Sequence, residues 1–374
     1  MKLTRSLLIL LLLAAGLTSG AYAEEPPETS AASYILMDAA SGRTLAAQNE
    51  EDPRLIASTT KIMTALITLE NCDPDVEVEI APAWTGIEGS TMYLEPGQVM
   101  TVRDLLYGLM LASGNDAAVA LACITAGDVE SFASLMNVRA EELGCEHTHF
   151  ENPNGLDSDE HYSCARDLAL IAREAIRNDE FRKIVSTSSA TVCGLTFTNH
   201  NRLLRECEGV FGVKTGYTEA AGRTLVTCCE RNGVTLICVT LSDPDDWTDH
   251  AALYDWAYSE YVRDDAARNA TWTVPVIGGD TESVTVAAPD SPSVLRSAED
   301  TVETRIELPL FVFPPIERGN SAGEISVYVN GEKTASAPLV FTESVGCSDV
   351  DAATLWDRLR FLGSVSERKI FAFL

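Results

Sequence analysis

The chain has 374 residues, 46% of them hydrophobic, with 56 acidic against 27 basic side chains and a net charge of −29. So acidic a surface repels polynucleotides, and no nucleic-acid partner is expected. The length suits one large and one small domain, each able to bury its own core.

The amino terminus carries Lys2 and Arg5, then the apolar run Leu7 to Leu13, then Ala21-Tyr22-Ala23 before an acidic, proline-bearing stretch. This pattern predicts a signal peptide over residues 1–23, with an apolar run too short for a stable membrane span. Its removal would leave 25 basic and 56 acidic residues, a net charge of −31, on a protein that works outside the cytoplasm.

Residues 33–48 read as a hairpin: Tyr34-Ile35-Leu36-Met37, a turn at Ser41-Gly42, then Thr44-Leu45-Ala46. Ser58 then opens a segment in which Ile62, Ala65, Leu66 and Leu69 recur at helical spacing. Helical patterns follow at 101–112, 115–126, 128–143 and 163–178, the last with Ser163 as its cap. From Val210 the pattern turns to strand: Val210 to Tyr217, Thr224 to Glu230 and Val234 to Leu241, with Asn232-Gly233 as the tight turn between the last two. Residues 247–262 read as a closing helix. Strands at both ends of a domain over 24–263, with a helical block between them, predict an α/β (α+β) fold with an antiparallel sheet flanked by helices.

A polar run at Asp264 to Asn269 marks the boundary to a small all-β domain over 264–346. Its short β segments are Trp272 to Ile277, Ser283 to Ala288, Thr304 to Leu310, Glu324 to Val329 and Ala337 to Phe341, and Asn330-Gly331 joins the last two. In the final segment, 347–374, Leu355, Leu359, Leu362 and Val365 fall on one helical side, and Arg358, Arg360, Arg368 and Lys369 largely elsewhere. Two readings stand for this C-terminal amphipathic helix: contact with a membrane surface, or packing on the β-module.

Ten cysteines in an exported chain suggest disulfides, but most sit in apolar settings. Cys123 lies in the run Ala117 to Ile124, Cys238 in Leu236 to Leu241, and Cys228-Cys229 ends another strand, so these read as small buried hydrophobes. His147-x-His149 has no further clustered ligand and reads as a surface loop, so no metal is expected.

Three motifs carry chemistry: Ser58-Thr59-Thr60-Lys61, Ser113-Gly114-Asn115 and Lys214-Thr215-Gly216. Beyond residue 23 only five lysines occur (Lys61, Lys183, Lys214, Lys333, Lys369), and two of them stand in these motifs. Arginine does not give up its proton in a protein, whereas a desolvated lysine does, so a site needing a neutral amine must keep lysine. One helical turn separates Ser58 from Lys61, which places both side chains on one face, where a neutral Lys61 can take the serine proton. The Ser113-Gly114-Asn115 triplet falls between two helical runs as a loop; Ser113 can relay a proton to a leaving amine, and Asn115 can orient Lys61. Lys214 and Thr215 can grip a carboxylate at the end of a strand, where Gly216 leaves room for a ligand to add itself as a further strand. The backbone N–H groups of Ser58 and Tyr217 are candidates for an oxyanion hole.

With these motifs the chain resembles the penicillin-binding D-alanyl-D-alanine carboxypeptidases of low molecular mass. The likeness extends through Tyr34-Ile35-Leu36-Met37-Asp38, Phe150-x-Asn152-Pro153-x-Gly155-Leu156, Tyr162-Ser163-x-Ala165-Arg166-Asp167 and Gly212-Val213-Lys214-Thr215-Gly216-Tyr217-Thr218, and covers roughly residues 30–345. The resemblance implies a penicillin-binding transpeptidase-like domain followed by a β-rich module. It implies removal of the terminal D-alanine from peptidoglycan pentapeptide stems through an acyl-enzyme on Ser58, acylation by β-lactam antibiotics, and no cofactor. It also implies a location outside the cytoplasm, peripheral on the outer face of the cytoplasmic membrane. One departure stands out: some relatives place a carboxylate-binding arginine after the third core strand, where this chain reads Ser242-Asp243-Pro244-Asp245-Asp246-Trp247.

Three rival readings remain. A D,D-endopeptidase uses the same residues and differs in groove shape. A class A β-lactamase needs a Glu-x-x-Leu-Asn string, which does not occur between Ser113 and Lys214. A non-enzymatic wall-binding protein would have lost Ser58, Lys61 or Lys214, and all are present.

Overall fold

The computed structural model describes residues 24–348, which form two compact units, one of Pro26–Ser259 and one from Glu260 onward. The expected signal peptide and the amphipathic stretch 352–374 lie outside the described residues.

In the first unit β1 (Ser33–Asp38) and β2 (Thr44–Gln48) make the expected hairpin. A single 3₁₀ turn, Ala57–Thr60, leads into α1 (Lys61–Asn71). A short ribbon of β3 (Glu77–Glu79) and β4 (Val99–Thr101) precedes α2 (Val102–Leu111), which opens on a reciprocal cap between Thr101 and Asp104. Then come α3 (Asn115–Ala126), α4 (Val129–Glu142), α5 (Ala165–Ala175) and α6 (Asp179–Ser186), followed by the hairpin β5 (Ser189–Val192) and β6 (Leu195–Thr198) and the short α7 (Leu203–Glu206). The unit closes with β7 (Val210–Thr218), β8 (Gly222–Arg231), β9 (Val234–Leu241) and α8 (Asp246–Glu260).

The five strands β2-β1-β9-β8-β7 form one antiparallel sheet in that order, so the first strand of the unit pairs with its last and β7 is an edge. Side chains alternate across the pleat. Ile35, Met37, Val226, Cys228, Ile237 and Val239 face the helical block and join Leu66, Leu105, Leu121, Phe132 and Ile171 in the main core. Each such side chain contributes about 1.5–3 kcal/mol on burial. The opposite face is closed by α8: Thr227 Oγ1 meets His250 Nδ1 and Tyr254 Oη, each at 2.7 Å, and Thr240 Oγ1 meets His250 Nε2 at 3.0 Å. Because both faces are covered, Thr224 to Cys229 of β8 and Leu236 to Leu241 of β9 are buried without interruption.

The expected antiparallel sheet with flanking helices is therefore present, with one cap displaced. Ser163 does not cap α5. It pairs with Arg54 through the backbone and with Thr148 through its hydroxyl, and Cys164 takes the cap position, its Sγ accepting from Asp167 N at 3.4 Å. Five of the ten cysteines are buried, Cys164, Cys228, Cys229 and Cys238 completely, whereas Cys123, expected to be buried, is only half-buried.

The second unit holds a five-stranded antiparallel sheet, β11 (Thr271–Pro275), β12 (Ser283–Ala287), β16 (Glu332–Phe341), β15 (Ser321–Val329) and β14 (Val302–Glu307), in that spatial order. β10 (Val262–Asp265), which overlaps the polar run read as a boundary, pairs with β13 (Ser293–Arg296). Val274, Val284, Val286, Ile325, Leu339 and Phe341 make the core, and the Asn330-Gly331 turn has φ of 54° and 86°, as a two-residue hairpin requires.

His250 is fully buried between two hydroxyls, and burial holds its imidazole down to about 3. Below the ordinary value of 6.5 the unfolded chain takes a proton that the folded chain refuses until about pH 3, so stability falls as pH falls through that window. Urea unfolding of the wild type should lose up to about 1.4 kcal/mol per pH unit from this group, and His250→Gln should flatten the slope. Equal slopes in the two proteins would show that His250 is not held neutral by the fold.

Candidate active site

Four segments meet around Lys61: the 3₁₀ turn, the start of α1, the start of α3 and the loop at 152–155. Ala57, one residue before Ser58, has φ of 48°, a conformation a side-chain-bearing residue adopts only when its surroundings hold it there. Those surroundings are explicit. Thr60 Oγ1 donates to Ala57 O at 2.9 Å, Thr224 Oγ1 donates to Ile56 O at 3.2 Å, and Gly155, with φ of 86°, packs so closely that a Cβ there would fall 1.9 Å from Ala57 O. The turn thereby presents Ser58 to a cleft of about 360 Å³, lined also by Ser90, Ser113, His200, Thr215, Gly216 and Tyr217.

Lys61 is fully buried, and its Nζ lies 2.8 Å from Ser58 Oγ, 2.8 Å from Asn115 Oδ1 and 2.5 Å from Asn154 O. Burial first, and the charge of Lys214 second, drive its ammonium well below the ordinary lysine value. A neutral amine has two N–H donors and one lone pair. Asn154 O can only accept, and Asn115 Oδ1 is fixed as an acceptor because Asn115 Nδ2 donates to Glu88 O at 2.6 Å. The two donors are thus used, and the lone pair is left for the Ser58 hydroxyl, which is the arrangement a general base requires.

Asn115 and Ser113 are positioned by backbone geometry. Asn115 is the first residue of α3, its N–H donating to Ser90 O at 2.7 Å, while the buried carboxylate of Asp116 accepts from Thr91 Oγ1, Met92 N, Leu94 N and its neighbour Ala117 N. Ser113 has φ of 58°, which turns the chain between α2 and α3 and brings its side chain to the cleft.

The third motif lies on β7. A Cβ on Gly216 would fall 2.3 Å from Thr224 Oγ1 and 3.0 Å from Ser58 N, so only glycine lets the strand edge approach the serine turn. This close approach sets the main chain of Gly216 against Ser58 N, and Ser58 and Tyr217 line the same cleft. Lys214 is 2% exposed and donates to Thr215 O at 2.8 Å, and burial lowers its ammonium to about 7. The structure therefore brings together Ser58, Lys61, Ser113, Asn115, Lys214, Thr215, Gly216 and Tyr217, the residues singled out in the sequence.

Two matches to family models fix the relationship: one described as D-alanyl-D-alanine carboxypeptidase covers residues 20–245, and one described as the C-terminal domain of penicillin-binding protein 5 covers residues 264–346. The chain belongs to the D-alanyl-D-alanine carboxypeptidase family. It is 32% identical over 333 residues to the D-alanyl-D-alanine carboxypeptidase DacF of Bacillus subtilis, spanning 84% of this chain and 86% of that one. It is 33% identical to DacD of Escherichia coli over 87% of this chain and 89% of the relative. The structure of penicillin-binding protein 5 from Haemophilus influenzae superposes with a TM-score of 0.71 at 30% identity, over 86% of this chain and 99% of that one.

Several family-site neighbours carry no motif of their own. Asn154 acts through its carbonyl. His161, buried 8 residues from the motif-like Pro153 segment, meets Thr60 Oγ1 through Nε2 at 2.8 Å and accepts from Glu151 N on Nδ1 at 3.1 Å. Since the Thr60 hydroxyl already donates to Ala57 O, it must accept from His161, which fixes a neutral Nε2–H imidazole, and burial holds His161 down to about 4. His200, Arg223, Asp246 and Trp247 complete the far wall of the cleft.

Gly155→Ala adds a methyl group where Ala57 O stands and strains a positive φ. It should cost about 2 kcal/mol or more of stability and slow acylation of Ser58 by penicillin at least about tenfold, read by thermal unfolding and by the bimolecular acylation rate. Unchanged acylation would show that the serine turn does not lean on this loop.

Proposed function

We propose that the protein is a serine D-alanyl-D-alanine carboxypeptidase that removes the terminal D-alanine from peptidoglycan pentapeptide stems. The observation that carries this reading is the fully buried Lys61 amine, whose lone pair is left facing the Ser58 hydroxyl. Lys61 takes the hydroxyl proton as Ser58 Oγ attacks the carbonyl of the penultimate D-alanine. The carbonyl oxygen becomes negative in the corner of the Ser58 and Tyr217 N–H groups, each such donor being worth about 3 kcal/mol of barrier. The proton then passes, with Ser113 as relay, to the amine of the departing D-alanine. Water attacks the acyl-Ser58 ester with Lys61 again as base, releasing the shortened stem and free serine. Asn115 keeps Lys61 in place, while Lys214 and Thr215 bind the terminal carboxylate.

The same serine would open a β-lactam ring and keep the product as an ester, which makes penicillins covalent inhibitors. The family relationship and the reading of residues 1–23 support work outside the cytoplasm. The cationic, amphipathic pattern of 352–374 supports contact with a membrane surface.

The direct test is the mass of the products after incubation with a cross-linked muropeptide dimer bearing a free pentapeptide stem. Loss of one alanine with the wild type and none with Ser58→Ala is expected, whereas cleavage of the cross-link would assign an endopeptidase. Lys61→Arg keeps approximate bulk but puts a permanent charge where the neutral amine stood, so acylation by penicillin should fall at least about 1,000-fold. A variant that acylated at the wild-type rate would remove Lys61 from the role of base.

A further inference from the structure

The segment that follows β9, 242–247, contains no arginine, yet the cleft is not without one. Arg223, near the start of β8, lines it beside Thr215 and Trp247. The register explains how it arrives there. Thr215 pairs with Leu225 and Tyr217 with Arg223, so Arg223 lies on the same face of the β7–β8 ladder as Thr215 and diagonal to it.

Its guanidinium is held rigidly. Asp246, 2% exposed, accepts from Nη2 at 2.6 Å, and the Trp247 ring stacks with the guanidinium at 5.2 Å, with Arg202 against the same ring at 5.5 Å. Asp246 takes a single N–H of the fork. The Nε–H is buried and has no partner among the described residues, a donor in want of an acceptor. The side chain as a whole stays 39% exposed toward the cleft.

We propose that Arg223, clamped by Asp246 and Trp247, recognises the terminal carboxylate of the substrate together with Lys214 and Thr215. The proposal rests on the carboxypeptidase reading and assigns the residue that makes it specific for a free carboxyl end. Lys214 alone is poorly suited to that task, because burial leaves its ammonium only partly charged near neutral pH. A guanidinium stays charged at every working pH and offers a carboxylate two parallel N–H groups.

The test compares kcat/KM for diacetyl-lysyl-D-alanyl-D-alanine, whose only carboxylate is the terminal one, with that for its C-terminal amide. Arg223→Ala should lower turnover of the acid about 10- to 100-fold and change that of the amide by less than about threefold, so that the preference for the acid collapses. Removing Arg223 leaves the Asp246 charge buried without its partner, so the double variant Arg223→Ala/Asp246→Asn is measured in parallel and should show the same collapse. Arg223→Lys should recover part of the preference. Equal losses on acid and amide, or an unchanged preference in the double variant, would overturn the assignment. If the wild type cleaves neither peptide, the carboxypeptidase reading fails. Arg223 is then judged by acylation with penicillin against penicillin methyl ester, where the same collapse supports it and equal rates in wild type and variants overturn it.

Discussion

One amine held out of water organises the site. Lys61 could not remain protonated among these partners without a large desolvation penalty, and it could not remain buried and neutral without two acceptors for its N–H groups. Asn154 O and Asn115 Oδ1 are those acceptors, and each is delivered by a different part of the helical block. The loop that supplies Asn154 also braces the Ala57 turn through Gly155, and the helix that supplies Asn115 begins where the cleft wall is pinned by Asp116. The strained turn, the glycine contact and the buried asparagine therefore serve one requirement, a lone pair aimed at Ser58 Oγ.

The second lysine depends on the first. Lys214 is as deeply buried as Lys61, and its positive charge is one of the forces that keeps Lys61 unprotonated. Burial lowers both ammonium groups, that of Lys214 to about 7, and the positive charge of Lys214 presses Lys61 further down. Environment thus sets apart two residues of one type, Lys61 against the Ser58 hydroxyl and Lys214 along the strand edge. An anionic ligand beside Lys214 would raise its affinity for the proton and, through it, press Lys61 further toward the neutral form.

Much of this was legible in the chain itself. The three motifs name both side chains that hydrogen-bond Lys61, Ser58 and Asn115, because serine, lysine and asparagine chemistry survives as residue identity. The helices at 102–111 and 115–126 were equally plain, the second through the apolar run Ala117 to Ile124. What escaped acts through the backbone or through tertiary pairing. Asn154 contributes a carbonyl that any residue possesses, and Ala57 contributes a left-handed conformation that alanine does not advertise. Ser163 looked like a cap because serine favours that position, but the bridge to Arg54 claimed it and moved the helix start on by one residue. Arg223 escaped because its strand position gives no local sign that the sheet register will set it diagonal to Thr215.

The net charge of −29 and the task of binding an anion appear opposed, and distance reconciles them. In physiological salt the field of surface carboxylates fades over about 8 Å, so an anionic chain end near the cleft feels chiefly the groups that line it. Those groups include Arg223, paired with Asp246, in a small, partly enclosed volume where a charge acts through protein rather than through bulk water, with Lys214 buried beside Thr215. The acidic surface keeps anionic polymers from binding broadly, and the cleft admits one carboxylate at short range. Recognition is then a matter of hydrogen-bond geometry within a few ångströms, which is why the rigidity that Asp246 and Trp247 confer on Arg223 bears on specificity more than the total charge of the protein does.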